Sequence, residues 1–131
     1  MNFLFLHLVT ANMRVVKRKV GPVLAEMLEA IEGIETHTVG KDLSDFEADW
    51  LLKLAIQRAL EIVSEASRHI PDQLLVVAPD IQWKQIRGIG NILRHEYHKI
   101  ADEVIWTVVT EHLAPLKKAV LAIQQSVGTD G

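Results

Sequence analysis

A segment in the second half of the chain combines residue types that bind anions and move protons. At offsets i, i+4, i+7 and i+8 it contains Arg87, Asn91, Arg94 and His95. These offsets place all four side chains on one face of a helix. Guanidinium groups bind phosphate through paired N–H donors, and an imidazole exchanges protons near neutral pH. The stripe therefore suits cleavage of a phosphodiester, although a solvated helix face without a site has the same pattern.

RNA fits this combination because its 2′-hydroxyl supplies an internal nucleophile, so that no metal ion is required. The segment 95–98 reads His-Glu-Tyr-His, which differs from the His-Glu-x-x-His pattern of zinc sites. Gly88 and Gly90 lack the third glycine or the lysine of a phosphate-binding loop. We therefore expect neither a metal ion nor a cofactor.

The composition of the 131-residue chain predicts one globular domain. Hydrophobic residues make up 49% of the chain and charged residues 24%, which excludes a disordered or low-complexity protein. The absence of cysteine excludes disulfide frameworks and thiolate nucleophiles. It also fits a reducing compartment, and we expect a cytoplasmic location.

Charge is distributed unevenly along the sequence. The net charge of -3 gives no whole-chain argument for nucleic-acid binding. Residues 14–19 are basic, residues 26–49 are strongly acidic, and residues 81–100 are basic again. This division fits a local anion-binding site on an acidic molecule, and ordinary solvated helix faces would produce it as well.

The N-terminal residues do not resemble a targeting or membrane segment. The apolar run at 3–10 is far shorter than the roughly 20 residues that span a bilayer. Basic residues follow this run, whereas in a secretory signal they precede it. We expect no export and no membrane anchoring. Residues 1–19 are predicted to be an N-terminal tail that is either disordered or the result of a mis-assigned start, with Met13 as the alternative start. A domain at 20–127 and a C-terminal tail at 128–131 are predicted to follow.

Apolar residues recur at helical spacing from Val23 onwards. The first predicted helix runs from Val23 to Ile34. A second is predicted to begin at a capping box formed by Ser44 and Glu47 and to continue unbroken until shortly before Pro71.

Three further helical stretches follow. One begins near Asp80, and its apolar spacing predicts a core-facing side formed by Trp83, Ile86, Ile89 and Leu93. Asp102 is predicted to cap the next, and the last covers 116–123 after Pro115. No period-2 alternation is present anywhere in the sequence. The predicted fold class is all-α, an up-and-down bundle of four to five helices.

Several separated blocks resemble one known family. They are the segments 59–66, 68–71, 83–88, 91–97 and 104–106. In order and spacing they resemble the HepT-like family of HEPN-domain toxins, over about residues 20 to 125. The resemblance implies a helical bundle that forms a homodimer with a composite cleft between the protomers. It also implies metal-independent endoribonuclease activity on an RNA substrate and an MntA-like minimal nucleotidyltransferase antitoxin as partner.

The family motif, Arg-x4-His-x-Tyr, is matched in part. His95 and Tyr97 fall on its His and Tyr, Asn91 falls on the Asn that commonly follows its Arg, and Gly90 stands in place of the Arg. The resemblance implies that His95 serves RNA cleavage and that Tyr97 is modified with AMP by the partner. A tyrosine that only packs at a helix end is the structural alternative for Tyr97.

The missing motif arginine leaves three hypotheses for function. In the first, His95 is the general acid/base of an endoribonuclease, Arg94 or Arg87 neutralises the phosphate, and Asn91 orients the scissile group. In the second, Gly90 marks a weakened or non-catalytic subunit that binds the nucleotidyltransferase. In the third, the chain is an oligomerisation domain without a site, which its mean hydropathy of +0.15 would fit.

Overall fold

The computed structural model describes residues 19–96 and 100–128. Its helices, in chain order, are α1 (Val20–Thr38), α2 (Leu43–Ala48), α3 (Trp50–Ser67), α4 (Asp72–Leu75), α5 (Trp83–Glu96), α6 (Asp102–Thr107) and α7 (Leu113–Val127), with a π-helical turn at Val108–His112. Within these ranges there is no strand, which confirms the predicted all-α class. Helix α3 contacts both α1 and α5, and α7 packs against α1.

The core contains apolar side chains from each of the longer helices. Its fully buried members include Leu24, Met27, Ile31, Phe46, Ile56, Ile70, Leu113, Leu116, Val120 and Ile123. On α1 the buried positions recur every three or four residues, so one stripe of the helix faces the core. Gly40, with φ of +76°, follows α1 and supplies the left-handed backbone conformation that turns the chain away from it.

The N-terminal cap of α2 differs from the predicted one. Asp42, and not Ser44, occupies the cap: its carboxylate accepts from the N–H of Asp45 at 2.9 Å, and the Asp45 carboxylate accepts from the N–H of Asp42 at 2.9 Å. The prediction of a Ser44–Glu47 box is wrong because the two aspartates satisfy the free N–H groups first. The same bond from Asp45 is the main reason why the pKa of Asp42 lies below its usual range.

The prediction of one unbroken helix up to Pro71 is also wrong. The chain breaks at Asp49, whose extended backbone ends α2 and whose carboxylate accepts from the N–H of Leu52 at 2.9 Å to start α3. The break lets Phe46 turn into the core, where its ring stacks on Trp106 with 5.2 Å between the ring centres. Helix α2 is therefore a short element that leads into α3.

Helices α6 and α7 follow one another through the π turn. The N–H of Leu113 donates to the carbonyl of Val108, five residues earlier, which is the bond that widens the turn. Pro115, two residues after Leu113, has no N–H to donate. In a regular helix its ring would also clash with the carbonyl four residues before it. A wider turn at this place relieves the clash and allows the helix to continue.

Asp102 does not cap α6, in contrast to the prediction. Ala101 is the cap residue, and Asp102 lies in the first turn, where its carboxylate binds Lys53 of α3 at 3.0 Å. A second ion pair, between Lys117 of α7 and Glu35 of α1 at 3.0 Å, raises the pKa of Lys117 through the hydrogen bond to the Glu35 carboxylate. Both pairs are partly exposed and tie helices together with only a small contribution to stability.

No helix in the two described ranges combines the length and the apolar content that crossing a membrane requires.

The packing of α7 leads to a test of the core. Ile123 is completely buried, and truncating it to alanine should lower the free energy of unfolding by about 2 to 5 kcal/mol because a cavity remains. Leu121 lies two residues earlier on the same helix and is 42% exposed, so Leu121→Ala should cost about 1 kcal/mol or less. Urea unfolding followed by circular dichroism measures both. Equal losses in the two variants would contradict the placement of α7.

Candidate active site on helix α5

A buried serine joins α5 to α3. The hydroxyl of Ser64 donates to the carbonyl of Arg87 at 3.0 Å and accepts from the N–H of Gly90 at 3.0 Å. Ser64 is 1% exposed, so both bonds are shielded from water. A Cβ atom at position 90 would lie 2.9 Å from the Ser64 oxygen and 3.0 Å from its Cβ. This close approach of the two helices therefore requires glycine at position 90.

The side chain of Arg87 braces the end of α3. Its Nε donates to the carbonyl of Ser67 at 3.2 Å, and one terminal nitrogen donates to the carbonyl of Ile70 at 2.7 Å. The other terminal nitrogen binds the carboxylate of Asp72 at 3.1 Å. The guanidinium thus gives the carbonyl of Ile70 a donor and adds a second donor to the carbonyl of Ser67, which already accepts from the N–H of Ile70 at 3.2 Å. Among the predicted site residues that the structure describes, Arg87 is the one whose guanidinium binds the end of α3 and the residues after it.

The other predicted residues on α5 face solvent together. Asn91, Arg94 and His95 are exposed, and none of the three makes a hydrogen bond or ion pair with another residue in the described ranges. Asn91 lies three residues before Arg94 and four before His95, which makes it a neighbour of both on the helix surface. Arg94 and His95 are the basic residues of the last turn of α5. An amide, a guanidinium and an imidazole are therefore available to one ligand.

The core-facing side of α5 holds this surface in place. Trp83 and Leu93 are buried, and Ile86 and Ile89 are partly buried against the core, as the apolar spacing predicts. The indole N–H of Trp83 also donates to the carbonyl of Ala78 at 3.0 Å, which orients the start of the helix. Ser64 was not among the sequence candidates. Its only signal was a hydroxyl within the apolar stripe of α3.

Two sequence candidates lie outside the described residues. Tyr97, the predicted site of modification, and His98 both fall in the undescribed segment 97–99. The role of Tyr97 therefore stays a prediction. Among the residues that are described, no three His, Asp or Glu side chains form a group that could hold a metal ion.

A second surface feature lies on the other side of α3. A groove of about 590 Å³ between α1 and α3 is lined mainly by apolar or small residues, among them Ala30, Ala55 and Ile62. Trp50 and Leu51 at the start of α3 are 71% and 68% exposed. The lining of the groove also includes the ionisable residues Glu26, Glu29, His37 and Asp49.

The chain is similar to a described protein family. The model of the family described as Ribonuclease HepT-like matches residues 27–123. A protein of Methanocaldococcus jannaschii, provisionally named RNase MJ1380, is 35% identical over 104 residues, which are 79% of this chain and 95% of that protein. A protein of Thermococcus cleftensis, provisionally named ribonuclease HepT, is 36% identical over 101 residues, covering 77% and 92%. No solved structure matches the chain.

The two arginines of α5 should behave differently when they are truncated. Arg87→Ala removes the donor to the Ile70 carbonyl, one of the two donors to the Ser67 carbonyl and the ion pair with Asp72, and should lower the free energy of unfolding by about 1 to 3 kcal/mol. Arg94→Ala removes an exposed side chain without a partner and should change it by about 0.5 kcal/mol or less. Urea denaturation measures both values. An Arg87→Ala protein as stable as the wild type would contradict the bracing role.

Proposed function

The chain belongs to the HepT-like ribonuclease family, and from this premise we propose that it is a metal-independent endoribonuclease that acts as the toxin of a toxin–antitoxin pair. The observation that carries the proposal is the shared exposure of Asn91, Arg94 and His95 on one surface of α5. These side chains have no structural partner in the described ranges, so their arrangement is free to serve a ligand.

The proposed reaction uses the RNA as its own nucleophile. His95 takes the proton of a 2′-hydroxyl, and the 2′-oxygen forms a bond to the adjacent phosphorus. The bond from phosphorus to the 5′-oxygen breaks, and that oxygen receives a proton from an imidazolium or from water. The products are a 2′,3′-cyclic phosphate and a 5′-hydroxyl. Neither a metal ion nor a covalent intermediate with the protein takes part.

The remaining polar groups of α5 assist this step. An arginine, Arg94 or Arg87, offsets the negative charge that grows on the phosphate oxygens, where such a contact is often worth about 3 to 4 kcal/mol. The amide of Asn91 orients the scissile group by hydrogen bonding. Each of these roles acts on the transition state more than on the bound RNA, which is what accelerates a reaction.

We infer that the active form is a homodimer with the cleft between its protomers. The inference is supported by Trp50 and Leu51, which leave apolar surface exposed beside the α1–α3 groove. An MntA-like nucleotidyltransferase is the proposed antitoxin, and Tyr97 is the residue it would modify with AMP.

A second candidate function is a silent subunit that binds the nucleotidyltransferase without cleaving RNA. The observation that favours it is Gly90, which supplies no guanidinium at the position of the family's motif arginine. Expression of this chain alone separates the two functions. Arrested growth fits the nuclease, and normal growth with an unmodified Tyr97, verified by mass spectrometry, fits the silent subunit.

The first test is RNA cleavage by His95→Ala in the presence of EDTA. Loss of the imidazole should reduce cleavage by about 100-fold or more, since general acid–base catalysis contributes that much. His112→Ala is the matched control because His112 is also exposed but lies in the π turn and not among the exposed polar residues of α5. Undiminished cleavage by a folded His95→Ala protein would rule out the proposed mechanism.

A change in the RNA tests the nucleophile independently. An RNA with 2′-O-methyl groups throughout should bind but resist cleavage, because no hydroxyl is available to attack the phosphorus. The unmodified RNA of the same sequence should yield fragments that end in a cyclic phosphate, which mass spectrometry identifies. Cleavage of the methylated RNA would show that water or a protein group is the nucleophile.

A further inference from the structure

Gly90 leaves bare backbone beneath the side chain of Arg94. A terminal nitrogen of Arg94 lies 3.6 Å from the point where a Cβ of residue 90 would stand. Side chains on a helix lean towards its N-terminus, so residue 94 covers the turn that contains residue 90. The guanidinium of Arg94 therefore lies over Gly90, beside the contact between α5 and α3.

The arginines around this contact are not equivalent. The head of Arg87 is occupied by two carbonyls and a carboxylate. Arg68, the residue that follows α3, donates to the carbonyl of Arg87 at 3.0 Å, and its guanidinium lies 3.8 Å from the carboxylate of Glu65. Arg94 has five N–H donors and no acceptor within the described ranges. It is the arginine of this surface that can give its donors to an incoming anion.

We propose that Arg94 is the phosphate-binding arginine of this site and that Gly90 and Ser64 position it, an inference that rests on the proposed ribonuclease function. A phosphate bound over Asn91 would lie between Arg94 on one side and His95 on the other, because these residues follow Asn91 by three and four positions. Arg94 grips the phosphate oxygens while His95 moves the proton. Arg87 has no contact with the RNA.

Gly90 leaves space between α5 and α3, and the side chain of Ser64 fills it. A side chain at 90 would meet the Ser64 oxygen at 2.9 Å and would also approach the head of Arg94. The buried hydrogen bonds of Ser64 oppose its displacement. A Cβ at 90 would touch Arg94 at an ordinary van der Waals distance of 3.6 Å, so glycine acts by keeping α5 against α3 and thereby fixing the backbone that carries Arg94. The two are positioning residues, since neither touches the RNA.

The test compares Arg94→Ala with Lys118→Ala, which removes an exposed positive charge from α7. Arg94→Ala should lose about 100-fold or more in kcat while its urea unfolding is unchanged, and Lys118→Ala should cleave like the wild type. Added methylguanidinium should restore part of the cleavage by Arg94→Ala but none in His95→Ala. Equal cleavage by Arg94→Ala and the wild type, with His95→Ala inactive, would overturn this inference and leave the proposed function standing.

A binding measurement gives an answer that does not depend on catalysis. The affinity of His95→Ala for 2′-O-methyl RNA is measured over a range of salt concentrations, with and without Arg94→Ala. The slope of log affinity against log salt should fall by about 0.7 for each phosphate that no longer has an arginine partner. If the wild type cleaves no RNA, the nuclease proposal fails. A reduced slope would still support phosphate binding by Arg94 in that case. An unchanged slope would overturn phosphate binding by Arg94 in either case.

Gly90→Ala tests the positioning role. If the added methyl group pushes α5 away from Ser64 and shifts Arg94 with it, the variant should lose kcat and salt slope together. The double variant Gly90→Ala/Arg94→Ala should then be no worse than Arg94→Ala alone. If the losses of the two single variants simply add in the double variant, Gly90 has a structural role only. If Gly90→Ala does not fold, the Arg94→Ala comparison decides whether Arg94 binds phosphate, and the failure to fold counts against a role of Gly90 specific to Arg94.

Discussion

The whole site depends on the buried contact between Ser64 and the backbone of α5. A hydroxyl without water is costly unless it is hydrogen-bonded, and this one both donates and accepts across the interface between two helices. Because the two bonds go to residues 87 and 90, they define the rotation of α5 as well as its distance from α3. A different rotation would turn the surface of Asn91 and His95 towards the core. The placement of the candidate site residues is thus a consequence of how α5 packs against α3.

The two arginines of α5 differ in their surroundings, although they are the same residue type. Arg87 is at the level of the α3 terminus, where the planar fork of its guanidinium binds the carbonyls of Ser67 and Ile70. Arg94 is two turns further along, past the contact with Ser64, where no acceptor from α3 reaches it. The brace at one end of α5 supports the orientation of the free groups at the other end.

Local patterns in the sequence predicted the class of fold and the core-facing side of α5, because burial follows helical spacing directly. They did not predict the break at Asp49, where one capping aspartate outweighs the apolar stripe that continues on both sides. They also grouped Arg87 with Asn91 and His95. Spacing tells where a side chain leaves the helix, but the acceptors that hold the head of Arg87 come from residues 67 to 72 on another element. Such partners are visible only once the helices are packed.

The same distinction bears on the meaning of Gly90. In the sequence motif, glycine at this position means that the positive charge of the motif arginine is missing. In the folded chain, a side chain at position 90 would collide with Ser64. Four residues along a helix advance the backbone by about 6 Å, and the backward slant of a long side chain recovers much of that distance. A guanidinium carried at position 94 can therefore cover the turn at 90 while the helices stay in close contact. A site that needs a positive charge beside an imidazole is constrained by where the charge lies, and more than one position on a helix can supply it.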